Sequence, residues 1–330
     1  MGIIRKLHVL VACTLLLFAV TGCHNIKDNN AISSHQQVSP LKSGYISVES
    51  GKLFYQRFGK GDPTIVVHGG PGLDQSYLLP QMLELAKDHE VIFYDQRGSG
   101  RSLETSIDPK YISSDQFAKD LETLRLELGL KNVAIIGHSW GGFLSMNYAI
   151  KYPDNVSSLI LVSSAPANYE DQKAFADEFN KRTQGIKHKI DPLFNDKTLS
   201  ALNRKQINQA YRDLFSVYFK EASNVHKLTL DMSKESAIGG FNVLSLMLKT
   251  TYFTPDSNLV PALGKLNVPT FLIIHGNQDI IPVGSALTIQ KAIPGSKVVY
   301  LNDCGHFPYI EKPNEFFSSI RSFLSEVGKQ

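Results

Sequence analysis

Residues 133–142 read Val-Ala-Ile-Ile-Gly-His-Ser-Trp-Gly-Gly. The first four form an apolar run rich in β-branched side chains, which is typical of a strand covered on both faces. The last six contain the pattern G-x-S-x-G, and a helical pattern follows them. A turn of this kind between strand and helix holds its serine in a strained backbone conformation and lets the hydroxyl project from the sheet. We therefore predict that Ser139 is a nucleophile; the alternative is a structural turn serine.

The alternation of strand and helix continues on both sides of this stretch. Strand patterns occupy residues 45–48, 53–58, 64–67, 91–94, 133–136, 159–162, 270–274 and 297–301. Helix patterns occupy residues 77–87, 114–128, 140–151, 286–292 and 314–327. This order predicts an α/β fold with a mostly parallel, eight-stranded sheet flanked by helices.

One long interval interrupts the alternation. Residues 166–260 contain no convincing strand, and apolar residues such as Ile207, Tyr211 and Leu214 recur there at helical spacing. We predict an inserted helical cap over this interval, with the core formed by residues 44–165 and 261–330. The many aromatic residues of the cap are expected to pack it on itself and on the core.

A serine nucleophile requires a base, and the base requires an orienting acid. Asp279 follows the predicted strand 270–274, and His306 follows the strand 297–301. Because both lie in loops at the carboxyl ends of strands, we predict that His306 is the base and Asp279 the acid. The chain order of nucleophile, acid and base is that of the α/β-hydrolase triad.

Other residues close to these motifs are weaker candidates. Asp303 could orient a base, but it lies three residues from His306 and would leave Asp279 unexplained. His275 ends its predicted strand, and His138 stands beside Ser139 within the turn. We retain Asp279 and His306 as the predicted acid and base.

Acyl transfer also requires donors for the developing oxyanion. Residues 68–72 read His-Gly-Gly-Pro-Gly and follow the predicted strand 64–67. Glycines in such a loop let backbone amides approach a substrate oxygen. We predict the amides of Gly70 and Trp140 as the donors; a glycine-rich turn without function is the alternative.

Three motifs together carry a family resemblance: residues 68–72, residues 95–102 (Asp-Gln-Arg-Gly-Ser-Gly-Arg-Ser) and residues 137–142. They resemble the proline iminopeptidase (prolyl aminopeptidase) branch of the α/β-hydrolases over roughly residues 44–165 and 268–324. The resemblance implies a capped α/β-hydrolase fold, the triad named above, and release of an N-terminal residue, typically proline, from small peptides. Asp95, Arg97 and Arg101 match family positions, and we expect them to fasten loops.

An aminopeptidase must bind a free ammonium group, so the substrate class depends on whether this chain offers an acid for it. The family does so with acids of the cap, one of them in its last segment, whereas residues 243–252 of this chain contain no acid. An esterase with the same triad is therefore the alternative, and a non-catalytic binding lipoprotein is a third hypothesis. Four other cap acids are possible substitutes, although such acids more often face solvent: Glu178, Glu221, Asp231 and Glu235.

The N-terminus reads as a targeting segment. Residues 1–8 carry Arg5 and Lys6 without an acid, and an apolar run of about 12 residues follows, which is typical of a secretory signal. Val20-Thr21-Gly22-Cys23 resembles the lipobox of bacterial lipoproteins. We predict a signal peptide over residues 1–22, lipidation of Cys23, a flexible tether to residue 43, and membrane anchoring in a bacterial cell envelope. An ordinary signal peptide cut nearby is the alternative.

Composition excludes several other classes of protein. Lys and Arg number 34 against 31 Asp and Glu, a surplus too small to indicate nucleic acid as a partner. Three cysteines are too few for a disulfide scaffold, and the scattered histidines form no metal-ligand motif. We therefore expect no cofactor and no metal; the expected partners are a small peptide or ester substrate and, through Cys23, a membrane.

Overall fold

The computed structural model describes residues 39–250, 252–266 and 271–327. Eight strands within them form one sheet in the order β1-β2-β4-β3-β5-β6-β7-β8. β1 and β2 pair antiparallel with their neighbours, and every pairing from β4 to β8 is parallel. The strands are β1 (Lys42–Val48), β2 (Gly51–Phe58), β3 (Pro63–Val67), β4 (Glu90–Tyr94), β5 (Val133–His138), β6 (Val156–Val162), β7 (Phe271–Gly276) and β8 (Lys297–Leu301).

Twelve α-helices connect or cover these strands in the described part of the chain. They are α1 (Leu79–Met82), α2 (Ser114–Glu127), α3 (Trp140–Lys151), α4 (Tyr169–Thr183), α5 (Lys187–Ile190), α6 (Asp196–Ala201), α7 (Arg204–Ser216), α8 (Lys234–Thr250), α9 (Val260–Leu263), α10 (Val283–Ala292), α11 (Pro308–Glu311) and α12 (Pro313–Val327). Short 3-10 helices occur at Gln75–Tyr77, Leu83–Lys87, Pro109–Tyr111, Pro153–Asn155, Gln184–Ile186, Asp191–Phe194 and Ala222–Lys227. None of the helices described here combines the length and the hydropathy needed to cross a membrane.

The centre of the sheet positions the predicted nucleophile. All six residues of β5 are buried, and β5 pairs in parallel with both β3 and β6. Its apolar run therefore has helices on both faces, as expected for a parallel strand. The loops that follow β3, β5, β7 and β8 all leave the same edge of the sheet, where ligands bind in folds of this class.

The interval between β6 and β7 is helical and contains α4 to α9. Its helices share a hydrophobic cluster of their own, so the cap has an internal core as well as contacts with the sheet domain. The buried members of this cluster are Ile190, Leu193, Leu199, Ile207, Ala210, Leu214, Met232 and Ala237.

The predicted fold class is confirmed, with one local difference. The segment predicted as a single helix over residues 77–87 consists of a 3-10 turn, the short helix α1 and a second 3-10 turn. Pro80 lies at the start of α1, where its missing N–H prevents a helix from running through from the preceding turn. Cys23, the predicted signal peptide and most of the tether lie outside the described residues.

Candidate active site

Ser139 stands at the sharp turn between β5 and α3. Its backbone has φ 57° and ψ −124°, a conformation rare for a residue with a side chain. The turn depends on its glycines, because a Cβ on Gly137 would lie 2.5 Å from the carbonyl oxygen of Gly141. A Cβ on Gly141 would lie 2.1 Å from the carbonyl oxygen of Val67. The G-x-S-x-G pattern is thus a steric requirement of the packing between β3, β5 and α3.

Asp279 and His306, which lie 27 positions apart in sequence, meet in the folded protein. His306 Nδ1 donates to Asp279 Oδ1 at 2.8 Å, and the Ile281 amide donates to the same oxygen at 2.9 Å. Both side chains are buried. Since the proton on Nδ1 is held by the carboxylate, the Nε2 lone pair of His306 remains available to accept a proton.

The charge state of Asp279 is set by its surroundings. Burial by itself raises the pKa of this carboxyl, but the neighbouring His306 and His275 imidazoles and the hydrogen bonds from His306 and Ile281 outweigh burial and lower the pKa to about 2. The acid is therefore ionised at neutral pH, as required to stabilise an imidazolium on His306.

His275 and Asp303, the alternative base and acid, do not replace His306 or Asp279 in the hydrogen-bonded pair. His275 lies on the far side of Asp279: its Nε2 donates to the Ile281 carbonyl at 2.9 Å, and its Nδ1 is 3.9 Å from Asp279 Oδ2. Asp279 Oδ2 itself has no hydrogen-bond partner among the described residues. Asp303 lies in a turn with φ 48° and makes no hydrogen bond with His306 in the described part of the chain.

His138 connects three segments of the site. Its Nδ1 accepts from the Tyr77 hydroxyl at 2.8 Å, and its Nε2 donates to the backbone carbonyl of His306 at 2.9 Å. The Tyr77 oxygen accepts in turn from the Gly69 amide at 2.7 Å. The His138 and His306 rings lie 4.8 Å apart, so the loop that carries His306 meets the turn that carries Ser139. Sequence reasoning missed Tyr77, which the apolar pattern marked only as the start of a helix.

The position of the proton in each of these hydrogen bonds follows from the groups that they join. A backbone carbonyl can only accept, so His138 carries its proton on Nε2 and is neutral. Burial, reinforced by the nearby His306, lowers the pKa of His138 to about 3. Since Nδ1 of neutral His138 can only accept, the Tyr77 hydroxyl donates to it and is free to accept from Gly69.

The amides predicted as oxyanion donors have no acceptor in the described part of the protein. Neither the Gly70 nor the Trp140 N–H makes a hydrogen bond within the described residues, and Trp140 is the first residue of α3, where no preceding helical carbonyl exists. Gly70 has φ 126°, a conformation that favours glycine. By contrast, the Gly69 amide is already engaged by Tyr77.

Hydrogen bonds between side chains and backbone hold the glycine loop in place. His68 Nε2 accepts from the Gln96 amide at 2.9 Å, so its Nδ1 carries the proton and donates to the Gly69 carbonyl at 2.9 Å. Gln96 Nε2 donates to the His68 carbonyl at 2.6 Å, and Trp140 Nε1 donates to Gln96 Oε1 at 3.1 Å. Burial lowers the pKa of His68, which favours this neutral form.

Residues 95–102 fasten loops, as expected. Arg97 is buried and makes a bidentate pair with Asp120 at 2.9 and 2.7 Å. Asp95 accepts from the backbone amides of Gln75 and Arg101. The motif thus ties β4 to the helix α2 and to the segment that follows the glycine loop.

The four cap acids named above as possible substitutes are paired with basic side chains or exposed. Glu178 pairs with Arg182 at 2.7 Å, Asp231 with Arg204 at 2.7 Å, and Glu221 with Lys220 at 3.0 Å. Glu235 is solvent-exposed in the first turn of α8. None of these four carboxylates is an unpaired acid facing the triad. No group of side chains suited to hold a metal ion occurs in the described ranges.

Comparisons with known proteins identify the family to which this fold belongs. A family model described as the alpha/beta hydrolase fold matches residues 62–313. A proline iminopeptidase from Heyndrickxia coagulans is 30% identical over 295 residues, which cover 86% of this chain and 99% of that protein. The structure of a proline iminopeptidase from Mycobacterium smegmatis aligns with a TM-score of 0.62 at 19% identity, over 87% of this chain and 98% of that one. An esterase from Exiguobacterium antarcticum aligns with a TM-score of 0.60 at 21% identity, over 83% and 96% of the two chains.

Proposed function

We propose a serine hydrolase mechanism for this chain, which belongs to the alpha/beta hydrolase fold family and, within it, to the proline iminopeptidase-like branch. Membership makes the protein a hydrolase; the roles of individual residues are our proposal. The observations that carry it are the buried hydrogen bond of 2.8 Å between His306 and Asp279 and the positive φ of Ser139, whose neighbour His138 lies with its ring 4.8 Å from the His306 ring.

In the proposed reaction, the Ser139 Oγ attacks the substrate carbonyl carbon while His306 Nε2 takes the hydroxyl proton. The carbonyl oxygen becomes an oxyanion and accepts from the Gly70 and Trp140 amides. His306 returns the proton to the leaving amine or alcohol, and the bond to it breaks, which leaves an ester on Ser139. Water then attacks this ester while His306 takes one of its protons; His306 returns that proton to the Ser139 Oγ as the acyl bond breaks, and the free acid departs. Asp279 stays ionised throughout and stabilises the imidazolium.

We propose that the leaving group is the remainder of a small peptide, with the N-terminal residue released as in a proline aminopeptidase. The support is the name of the relative that aligns over nearly its whole length. An esterase is the second candidate, and a specific observation favours it: the four nominated cap acids are paired with basic side chains or exposed. A substrate without a charged amine requires no such acid.

Three substrates separate these candidates: a proline arylamide, its N-acetylated analogue and a short acyl ester. Turnover by the full-length chain in detergent is compared with that of Ser139→Ala. Aminopeptidase specificity requires cleavage of the free-amine arylamide and not of the acetylated one. Cleavage of the ester alone supports the esterase, and activity retained by Ser139→Ala would exclude the proposed nucleophile.

We further propose that Cys23 carries a lipid that anchors the enzyme in a bacterial envelope membrane. The support is the charged, apolar and small-residue order of residues 1–23. More than one acyl chain on a single cysteine meets the requirement for stable anchoring. Cys23→Ser is expected to move the protein from the membrane fraction to the soluble fraction, and unchanged fractionation would contradict the anchor.

A further inference from the structure

An arginine of the cap binds the loop that carries Asp279. Arg182 lies near the end of the cap helix α4. Its Nη2 donates to the backbone carbonyl of Asp279 at 2.9 Å, and its Nη1 donates to the carbonyl of Gln278 at 3.0 Å. The triad acid therefore has a cap residue bound directly to its own backbone.

The same guanidinium also reaches a second cap segment. Arg182 Nη1 donates to the carbonyl of Val217 at 3.3 Å, and its Nε donates to Glu178 at 2.7 Å. Four donor contacts use most of the five N–H groups of an arginine, in the planar fork that a lysine cannot reproduce. Three protein segments thus meet at one side chain.

Tyr218, the residue after Val217, contacts His306. The backbone carbonyl of Tyr218 accepts from the His306 amide at 2.9 Å. The Tyr218 ring stands edge-on to the His306 ring, with centroids 5.2 Å apart. Arg182 binds the carbonyl of Val217, next to Tyr218, and also the carbonyl of Asp279. It therefore connects the segment that binds His306 with the loop that carries Asp279.

From this arrangement we infer that Arg182 is a positioning residue of the triad, and that the cap is a fixed part of the catalytic frame on this side. The inference rests on the proposed serine hydrolase function and deepens it. Among the described residues, Arg182 makes no hydrogen bond with the side chain of Ser139, Asp279 or His306; it acts by setting the distance between Asp279 and His306. An error of about 1 Å in such a distance is enough to lower the rate about 100-fold.

Steady-state kinetics of the full-length chain on the cleaved substrate test this role. Arg182→Met is expected to lower kcat by about 10- to 100-fold, while KM changes less than about twofold, because the substrate is bound as before. The rate of inactivation by a fluorophosphonate is expected to fall in parallel. With Asp279 misplaced, the imidazolium is less stabilised, so the acid limb of the kcat/KM profile is expected to move to lower pH.

The matched control is Lys181→Met, which removes the adjacent cation that also pairs with Glu178 but binds neither triad loop. It is expected to leave kcat unchanged. Arg182→Lys keeps the charge but cannot span three carbonyls, and an intermediate kcat is expected. If Arg182→Met fails to fold, Arg182→Lys carries the test.

The outcomes separate this inference from the function on which it rests. Absence of turnover in the wild type, or turnover unaffected by Ser139→Ala, overturns the proposed function. An active wild type with an inactive Ser139→Ala, combined with arginine variants that match Lys181→Met, overturns the positioning role alone. A loss confined to KM, or a loss in proportion to a lower melting temperature, also overturns it.

Discussion

The two sides of the site are supported in different ways. Ser139 is held by the sheet core, where backbone packs against backbone at Gly137 and Gly141. Asp279 and His306 are held in addition by the cap, through Arg182 and the Tyr218 carbonyl. The turn at Ser139 is therefore specified by the glycines of a short motif, whereas the pairing of Asp279 with His306 depends on contacts between segments far apart in sequence.

The largest expected effect comes from Gly141→Ala, in the turn that the sheet core holds. The new Cβ would lie 2.1 Å from the Val67 carbonyl oxygen, and backbone atoms cannot yield cheaply. We expect the free energy of unfolding to fall by more than about 3 kcal/mol and kcat/KM by at least about 1000-fold. Chemical denaturation and steady-state kinetics measure the two effects.

The control for this variant is Gly284→Ala. Nothing lies within 4 Å of a Cβ at Gly284, in the first turn of α10. Its stability and activity are expected to stay at the wild-type level. A stable and active Gly141→Ala protein would contradict the steric account of the turn.

On the other side, Asp279→Asn tests the acid. The amide cannot hold the His306 proton on Nδ1 as a carboxylate does, and about a 1000-fold loss of kcat is expected. Asp303→Asn is the matched control, because Asp303 is the rival acid in sequence and is expected to be almost silent. Kinetics that show the larger loss for Asp303→Asn would reverse the assignment.

His138 lies in the turn that carries Ser139 and donates to the carbonyl of His306. Its buried imidazole predicts an effect of pH on stability. The pKa of His138 is lowered from 6.5 to about 3 in the folded state, so between these values the unfolded chain binds the additional proton. The free energy of unfolding is therefore expected to fall as pH falls through this window, by about 3 kcal/mol between pH 6.5 and pH 4. Urea titrations over this range measure the slope.

His138→Gln removes one titrating group and is expected to reduce that slope. His226→Gln, at an exposed position, serves as the control and is expected to leave the slope unchanged. Equal slopes for wild type and His138→Gln would show that the buried imidazole is not the source of the pH dependence.

The smallest expected effect comes from Tyr77→Phe. The change deprives the Gly69 amide of its acceptor and His138 of its donor, and we expect about a 10-fold loss of kcat. Tyr148→Phe removes another buried hydroxyl contact, to Glu122 and away from the triad, and is expected to affect stability without kcat. Equal kcat values for the two variants would show that the hydrogen bonds of Tyr77 do not contribute to catalysis.

The sequence was sufficient to predict the sheet and the elbow because both follow from local chemistry. A parallel strand buried on both faces needs a continuous apolar run, and a strained turn at Ser139 needs flanking glycines. Asp279 and His306 were identified by their position after two strands, and the structure brings them together at 2.8 Å.

The remaining features depend on non-local packing that leaves no periodic signal. Tyr77 reads as one apolar residue among several, and Arg182 as one of many charges on a cap helix. By sequence, Glu178 is one of the acids that could bind a substrate ammonium, whereas in the structure it pairs with Arg182. The break in the predicted helix at residues 77–87 arises from Pro80 and from the turn that precedes it.

The most direct test of the central claim is covalent labelling of the full-length chain with a fluorophosphonate, followed by peptide mass spectrometry. We expect one adduct, on Ser139, formed in parallel with the loss of turnover and absent from Ser139→Ala and from acid-denatured protein. Labelling at another residue, or full turnover after Ser139 has been modified, would contradict Ser139 as the nucleophile.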